Sequence, residues 1–162
     1  MGVRLYAIPR GGQGRLWTMA APAGGDDLAS DLSDLRAAGV DVLVSMLNGL
    51  ESRWLGLAGE AREADAAGLD FRRLSTNDFG TPRPGPALAL ARHLRGELNA
   101  GRGVAVHCRG GIGRSSLLAA IVLRLEGVRP DQAWEVIGRA RGARVPDTQA
   151  QRDFVDRFDL HA

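Results

Sequence analysis

Cys108 is followed by Arg109, Gly110, Gly111, Ile112, Gly113 and Arg114, and then by Ser115. Three glycines between a thiol and a guanidinium let the backbone take conformations that a Cβ opposes. Successive N–H groups can then turn inward as an anion-binding nest. A helix opening near Arg114 would add unpaired N–H groups and the positive end of its dipole. Arg114 itself supplies a planar, permanently charged fork that suits two phosphate oxygens. A cradle built for an oxyanion also stabilises a thiolate, which makes Cys108 nucleophilic at neutral pH. The chemistry this implies is attack of the Cys108 sulfur on a phosphate ester held by the residues from Arg109 to Arg114. An ordinary strand-to-helix turn would use the same glycines and a capping Ser115. The cysteine at its start and the arginine at its end separate the two cases.

The elements that must position this loop are legible on either side. GVAVHC (103–108) is a short β-rich run, and SSLLAAIVLRLEG (115–127) is an apolar helix closed by Gly127. His107 precedes the nucleophile on the strand, so its side chain points to the opposite face. That placement suits a core histidine better than a base. Upstream, TNDFGTPRPGP (76–86) packs Asn-Asp, two glycines and three prolines into the strongest loop signal of the chain. Asp78 lies in that loop. A carboxylic acid on a movable loop can protonate a leaving oxygen and its carboxylate can later take a proton from water. A turn-forming Asp is the plainer reading of the same residue. Asp70 is the poorer acid, because it opens a predicted strand.

The remaining pattern alternates apolar runs with helical periodicity, which predicts an α/β fold: one domain with a central, mostly parallel sheet flanked by helices. RLYAI (4–8) and RLWTMA (15–20) read as two strands around a Gly-rich turn, an N-terminal hairpin within residues 1–24. A helix is expected over 26–38, a buried strand over 40–47, a helix over 51–67, and a strand over 69–75. Helices follow over 87–100, from Pro130, and over about 147–158. No repeat or linker divides the 162 residues.

Composition narrows the class of function. Every basic side chain is Arg, yet the formal net charge is only +2 because acids are interleaved throughout, so the high sequence pI predicts no nucleic-acid partner. The single cysteine excludes an internal disulfide and a multi-cysteine metal site. No apolar run suits a membrane anchor, and MGVRLYAIPRGG has no signal-peptide h-region, which favours a cytoplasmic location.

His107-Cys108-Arg109-Gly110-Gly111-Ile112-Gly113-Arg114-Ser115 matches the H-C-x-x-G-x-G-R-[ST] signature of protein tyrosine and dual-specificity phosphatases. Residues 31–51, GLDFRRLSTNDFGTP and VPDTQAQRDFV resemble the compact dual-specificity branch of the cyclin-dependent kinase inhibitor 3 type. The resemblance covers roughly 25–158. It implies the cysteine-phosphatase fold and a two-step reaction through a phosphocysteine, needing no metal or organic cofactor. It implies Asp78 as general acid, with Pro82 completing Asp-x-x-x-Pro. It implies that Ser115 hydrogen-bonds the sulfur as it leaves, that His107 orients the loop, and that Gln151 places water, with Gln149 a competitor for that part. The substrate implied is a phosphoprotein or phosphopeptide, with phosphotyrosine, and through a shallow cleft phosphoserine and phosphothreonine, as targets. Arg109 stands where it could favour acidic substrates or point to solvent. Three alternatives share these residues: phosphatases of phosphoinositides, inositol phosphates or RNA 5′ ends; loop-cysteine sulfur or arsenate chemistry; and a non-catalytic phosphopeptide-binding module. The last generally loses the cysteine, the arginine or the acid, and all three are present here.

Overall fold

A computed structural model describes residues 2–162. Its sheet has five strands in the order β1 (Tyr6–Ala7), β2 (Arg15–Met19), β5 (Gly103–His107), β3 (Val42–Ser45), β4 (Asp70–Arg73). Strand β1 is an antiparallel edge on β2, which forms the expected hairpin, and the other four strands run parallel. Parallel sheets are covered on both faces, so their strands are apolar throughout. Strands β3 and β5 are accordingly buried at every residue.

Alternation along the strands divides the core in two. Val104 and Val106 of β5, with Val42 and Val44 of β3, pack under α4 (Pro84–Asn99), α5 (Arg114–Leu125), α6 (Pro130–Arg141) and α7 (Gln149–Asp156). Ala105 and Leu43 face the other way, against α1 (Leu28–Ala37) and α3 (Glu60–Ala66). Helix α5 is buried along nearly its whole length, which its apolar run over 117–123 requires. Arg10, in the β1–β2 turn, pairs with Glu126 just past α5 and ties the hairpin to the core. No helix among the described residues is long and apolar enough to cross a membrane.

Two expectations are corrected. The helix expected over 51–67 is two helices, α2 (Gly49–Trp54) and α3. The break falls at Gly56, whose φ is +71° and whose carbonyl accepts a hydrogen bond from Gly25 at 3.0 Å. Gly24 lies so close to Leu55 that a Cβ there would sit 1.9 Å from its carbonyl oxygen. The loop expected over 76–86 is shorter, because Pro84 already occupies the first turn of α4, where its missing N–H has no helical partner to lose.

Strand β5 enters the sheet beside a second backbone. A Cβ on Gly103 would stand 2.2 Å from the Gly39 carbonyl oxygen and 2.9 Å from the Trp17 ring. Gly103→Ala is therefore expected to destabilise the protein by about 1–3 kcal/mol. Gly96→Ala, on an open face inside α4 with nothing within 4 Å, is expected to stabilise it by about 0.5–1 kcal/mol. Urea unfolding of both variants checks the pair; equal midpoints would show that backbone approach at Gly103 is not limiting.

Candidate active site

Strand β5 and helix α5 meet at the C-terminal edge of the parallel strands, where open α/β sheets place their ligands. Cys108 follows β5, is 3% exposed and joins the cluster beneath α5. The turn from Cys108 to Gly113 is fixed from several sides. Ala21 N–H donates to the Arg109 carbonyl at 3.1 Å. Arg141 donates to the carbonyls of Gly111 and Gly110, both at 3.2 Å. Gly111 has φ +73° and lies against Met19 and Ala20, with room for no side chain. Each tether consumes a loop carbonyl, so the loop is held through its acceptors.

The sulfur of Cys108 lies 3.3 Å from Ser115 Oγ, and both groups are buried. His107 faces the opposite side of the sheet, as the strand alternation requires. Its Nδ1 is 3.1 Å from the Cys108 carbonyl, which can only accept, so Nδ1 carries a hydrogen. Its Nε2 is 2.6 Å from Glu60 Oε2. Both side chains are fully buried, and Glu60 Oε1 has no partner among the described residues. A carboxylate so placed fixes the ring and, through Nδ1, the peptide that carries the thiol.

Arg114 is the largest fully buried side chain of the protein. Its Nη1 donates to Glu51 Oε1 at 2.7 Å and to the Thr76 carbonyl at 2.9 Å, and its Nη2 donates to Glu51 Oε2 at 3.0 Å and Asp78 Oδ1 at 3.1 Å. The fork-to-fork pairing with Glu51 fixes the guanidinium plane. Burial works against the Glu51 charge, but hydrogen bonds from Arg114 and the Asn48 N–H and the charges of Arg114 and Arg109 outweigh it, holding Glu51 below the ordinary carboxylate range. Burial likewise opposes the Arg114 cation, and Glu51, Cys108 and Asp78 more than offset it, so its pKa is raised. Glu51 is also the N3 residue of a capping box with Asn48 at the start of α2, which delivers the carboxylate to Arg114.

Asp78 reaches the cleft from the loop before α4. Its carboxylate is 35% exposed and accepts from Arg114 and from the Phe79 N–H. Phe79 has φ +61°, a strained conformation for a bulky residue, and the residue is 61% exposed. Asn48 donates to Asn77 at 3.2 Å and links this loop to α2. Gln151 is fully buried. Its oxygen accepts from Asp147 N–H and Thr148 N–H, and its amide donates to the Gly80 carbonyl at 3.1 Å. The Gln151 amide thus latches the loop to the start of α7, and this arrangement leaves it no hydrogen free to hold water apart from the second of its NH2 group.

Cys108, Arg114, Ser115 and Asp78 therefore gather in one place, with His107 behind them. Gly110 is exposed, Ile112 half-buried against the core, and Arg109 exposed with its charge felt by Glu51. Gln149 lies on the surface and bonds Asp153. Asp70 opens β4 at the other end of the strands and pairs with Arg72. Asp70, His93 and Glu97 bring ligand atoms within 4.8 Å of one another, but both carboxylates are paired, with Arg72 and Arg102, and the group lies away from the cradle. Glu51, Glu60 and Asp147 escaped sequence reasoning. Asn48-x-x-Glu51 was the one local signal, and it reads as a helix cap. Asp147 belongs to the cleft: its Oδ2 lies 2.2 Å from where a Cβ on Gly113 would be, and burial and the Asp78 charge raise its pKa against the opposing pull of Arg114.

A model of the family described as polymorphic toxin system, DSP-PTPase phosphatase, matches residues 10–127. Cyclin-dependent kinase inhibitor 3 of Mus musculus is 33% identical over 82 residues, which are 50% of this chain and 39% of that protein. The match thus spans well under half of the curated relative's length. The crystal structure of kinase associated phosphatase (KAP), with its catalytic-site cysteine changed to serine, superposes with a TM-score of 0.89 at 20% identity, covering 98% of this chain and 94% of that one. PTPMT1 in complex with PI(5)P gives a TM-score of 0.71 at 22% identity, covering 87% and 88%. At these identities the two structures establish a shared fold.

The Arg114–Glu51 pair has a pH signature. Because Glu51 is held below the ordinary carboxylate range, its stabilisation is complete above that range and is lost as pH falls through the folded value. Glu51→Gln leaves a buried cation short of its counter-charge and is expected to cost about 3 kcal/mol at neutral pH. The difference from wild type should shrink as pH falls below the ordinary carboxylate range and through the lowered folded value. Urea unfolding at both ends of that window measures it; a pH-independent difference would assign the loss to packing instead.

Proposed function

The chain belongs to the polymorphic toxin system, DSP-PTPase phosphatase family, and on that premise we propose that it hydrolyses phosphotyrosine, with phosphoserine and phosphothreonine as further substrates, through a phosphocysteine and without a metal. The observation that carries this reading is the convergence on one cradle of Cys108, Ser115, Arg114 and the loop carboxylate Asp78. KAP, which shares the fold, has a catalytic-site cysteine, and Cys108 is the only cysteine of this chain.

In the first step the Cys108 thiolate attacks phosphorus, and the bond to the leaving oxygen breaks. Asp78, as the acid, gives that oxygen its proton. Arg114 and the amides of the loop from Arg109 to Gly113 stabilise the charge on the equatorial oxygens. In the second step the Asp78 carboxylate takes a proton from water as the water oxygen attacks phosphorus, the P–S bond breaks, and sulfur leaves as thiolate, accepting a hydrogen bond from Ser115. His107, fixed by Glu60, positions the Cys108 peptide. Gln151 acts by latching the Asp78 loop to α7.

The preference for a phosphoprotein rests on the family and on the single basic residue, Arg109, among the variable loop positions. A phosphoinositide is the second reading, because PTPMT1 of the same fold was solved with PI(5)P.

Hydrolysis of p-nitrophenyl phosphate in EDTA is expected for the wild type and not for Cys108→Ser. Asp78→Asn is expected to retain a fall of roughly 100-fold or more, since it loses the proton donor. Phosphotyrosyl peptides should be turned over with a higher kcat/KM than soluble PI(5)P; the reverse order would favour the lipid reading. Equal activity of wild type and Cys108→Ser would remove the nucleophile from the scheme.

A further inference from the structure

Three large apolar residues stand exposed among the described residues: Leu50 at 52%, Trp54 at 74% and Phe79 at 61%. All three lie on the two elements that bring carboxylates to Arg114. Leu50 and Trp54 belong to α2, whose Glu51 pairs with the guanidinium, and Phe79 directly follows Asp78. Neither element needs these side chains for its own fold. Leu50 and Trp54 are four residues apart and share one face of α2, whereas Glu51 and Ser52 are the residues that α2 buries. Phe79 holds a φ of +61°, a conformation that Gly or Asn would take with less strain.

The two elements are joined. The Asn48 amide donates to Asn77 Oδ1 at 3.2 Å, so Leu50 and Phe79 flank one hydrogen-bonded link. Asn77 is exposed, and its own NH2 group donates to none of the described residues. Arg53 on α2, Arg83 at the end of the Asp78 loop and Arg109 in the cradle are exposed on the same elements of the rim. The result is an apolar surface with a carboxamide within it and cations at its edge, continuous with the cleft of Cys108 and Asp78. A peptide answers each part: an apolar side chain for Leu50 and Trp54, a backbone carbonyl for the Asn77 NH2, carboxylates for the arginines. The hydrocarbon of a membrane would leave that NH2 group without an acceptor, at a cost in free energy.

We propose that the exposed face of α2, Leu50 and Trp54 together with Phe79, docks a bulky apolar residue of the substrate phosphoprotein, close in sequence to a phosphorylated residue in an acidic stretch. This rests on the phosphoprotein reading above. The six residues of α2 rise about 9 Å, and an extended peptide advances about 3.3 Å per residue. The apolar residue therefore stands roughly two to four positions from the phosphorylated one. It is bound alike before and during the chemistry, so it acts on KM and leaves kcat unchanged.

Steady-state hydrolysis of two sets of phosphotyrosyl peptides tests this. Both sets carry Glu around the phosphotyrosine. One has Leu or Phe two, three or four positions away, on either side, and the other has Ser there. Wild type is expected to favour the best apolar peptide over its Ser counterpart roughly 10-fold in kcat/KM, through KM. Trp54→Ala and Leu50→Ala should lose most of that preference, and Trp54→Phe should keep part of it. All three should hydrolyse p-nitrophenyl phosphate as wild type does, because that substrate is too small to reach α2. No preference in wild type, or one that survives both alanine substitutions, overturns the proposal. An equal loss on p-nitrophenyl phosphate and on peptides also overturns it, since the face would then serve the fold of the site. Co-sedimentation with phosphatidylcholine vesicles containing PI(5)P that is lost in Trp54→Ala would assign the face to a membrane. A concentration-dependent dimer in ultracentrifugation that is lost in Trp54→Ala would assign it to a second copy of the chain. Either result overturns the proposal. If p-nitrophenyl phosphate is hydrolysed and no phosphotyrosyl peptide is, the phosphoprotein reading falls and this inference with it. If the peptides are hydrolysed without regard to the apolar residue, only the inference falls.

Discussion

A guanidinium buried to 2% exposure is the constraint around which this site is built. An unpaired charge at that depth costs several kcal/mol, so Arg114 can exist only where acceptors converge on it. They come from three separate parts of the chain: Glu51 from α2, the Thr76 carbonyl from the exit of β4, and Asp78 from the loop that follows. Each acceptor is itself placed by something else. The Asn48 capping box aims Glu51, and Asn48 also holds Asn77 of the loop. Short α2 is therefore not a helix that happens to be small. Its break at Gly56 lets the chain turn back to Gly24 and Gly25, and α2 remains a bracket for one carboxylate.

The cradle is rigid because both of its ends are anchored in buried elements, one in β5 and one in α5. His107 and Glu60 brace it from the far face of the sheet, and Arg141 and Ala21 hold its carbonyls. The loop carrying Asp78 is held differently. Its ties are side-chain contacts: Asn48 to Asn77, Arg114 to Asp78, Gln151 to Gly80. Fixed charge stabilisation needs an immobile cradle, whereas a proton donor must meet leaving groups of different shapes. The division between backbone-anchored cradle and side-chain-latched loop suits that difference under the proposed reaction.

What could be read from the sequence was what lies close together in it. Cys108 to Ser115 is contiguous, and its glycine pattern carries its own physical reason. The faces of β5 followed from alternation, so His107 was placed correctly behind Cys108. The parallel sheet followed from apolar runs alternating with helical periodicity. The partners of the site were different. Glu51 lies 63 residues from Arg114 and Glu60 lies 47 from His107, and no local pattern marks a buried pair across such distances. Asn48-x-x-Glu51 is a local pattern, but it points to a helix cap and says nothing of a buried partner for Arg114. The same limit produced the single long helix over 51–67: the close approach of Gly24 to Leu55 breaks it, and that contact exists only in three dimensions. Gln151 was singled out by resemblance to place water; the fold adds that its position at N3 of α7 commits its oxygen to the cap.

The electrostatics of the cleft explain why one arginine needs this many acids. Glu51 neutralises Arg114 from behind through both oxygens, while Asp78 takes a hydrogen of Nη2 on the open side. In the proposed reaction a phosphate dianion arriving in the cradle seeks the side that Asp78 occupies. Glu51 does not compete, because its bidentate geometry uses the edge facing α2. Asp78 does compete, and a proton on it removes the repulsion from the dianion while leaving an O–H to offer the leaving oxygen. In that proposed reaction the contact between Asp78 and Arg114 is the resting substitute for substrate. A loop held by exchangeable side-chain contacts can give up that contact, whereas the buried Glu51 pair cannot be given up without exposing the cation that the fold was arranged to hold.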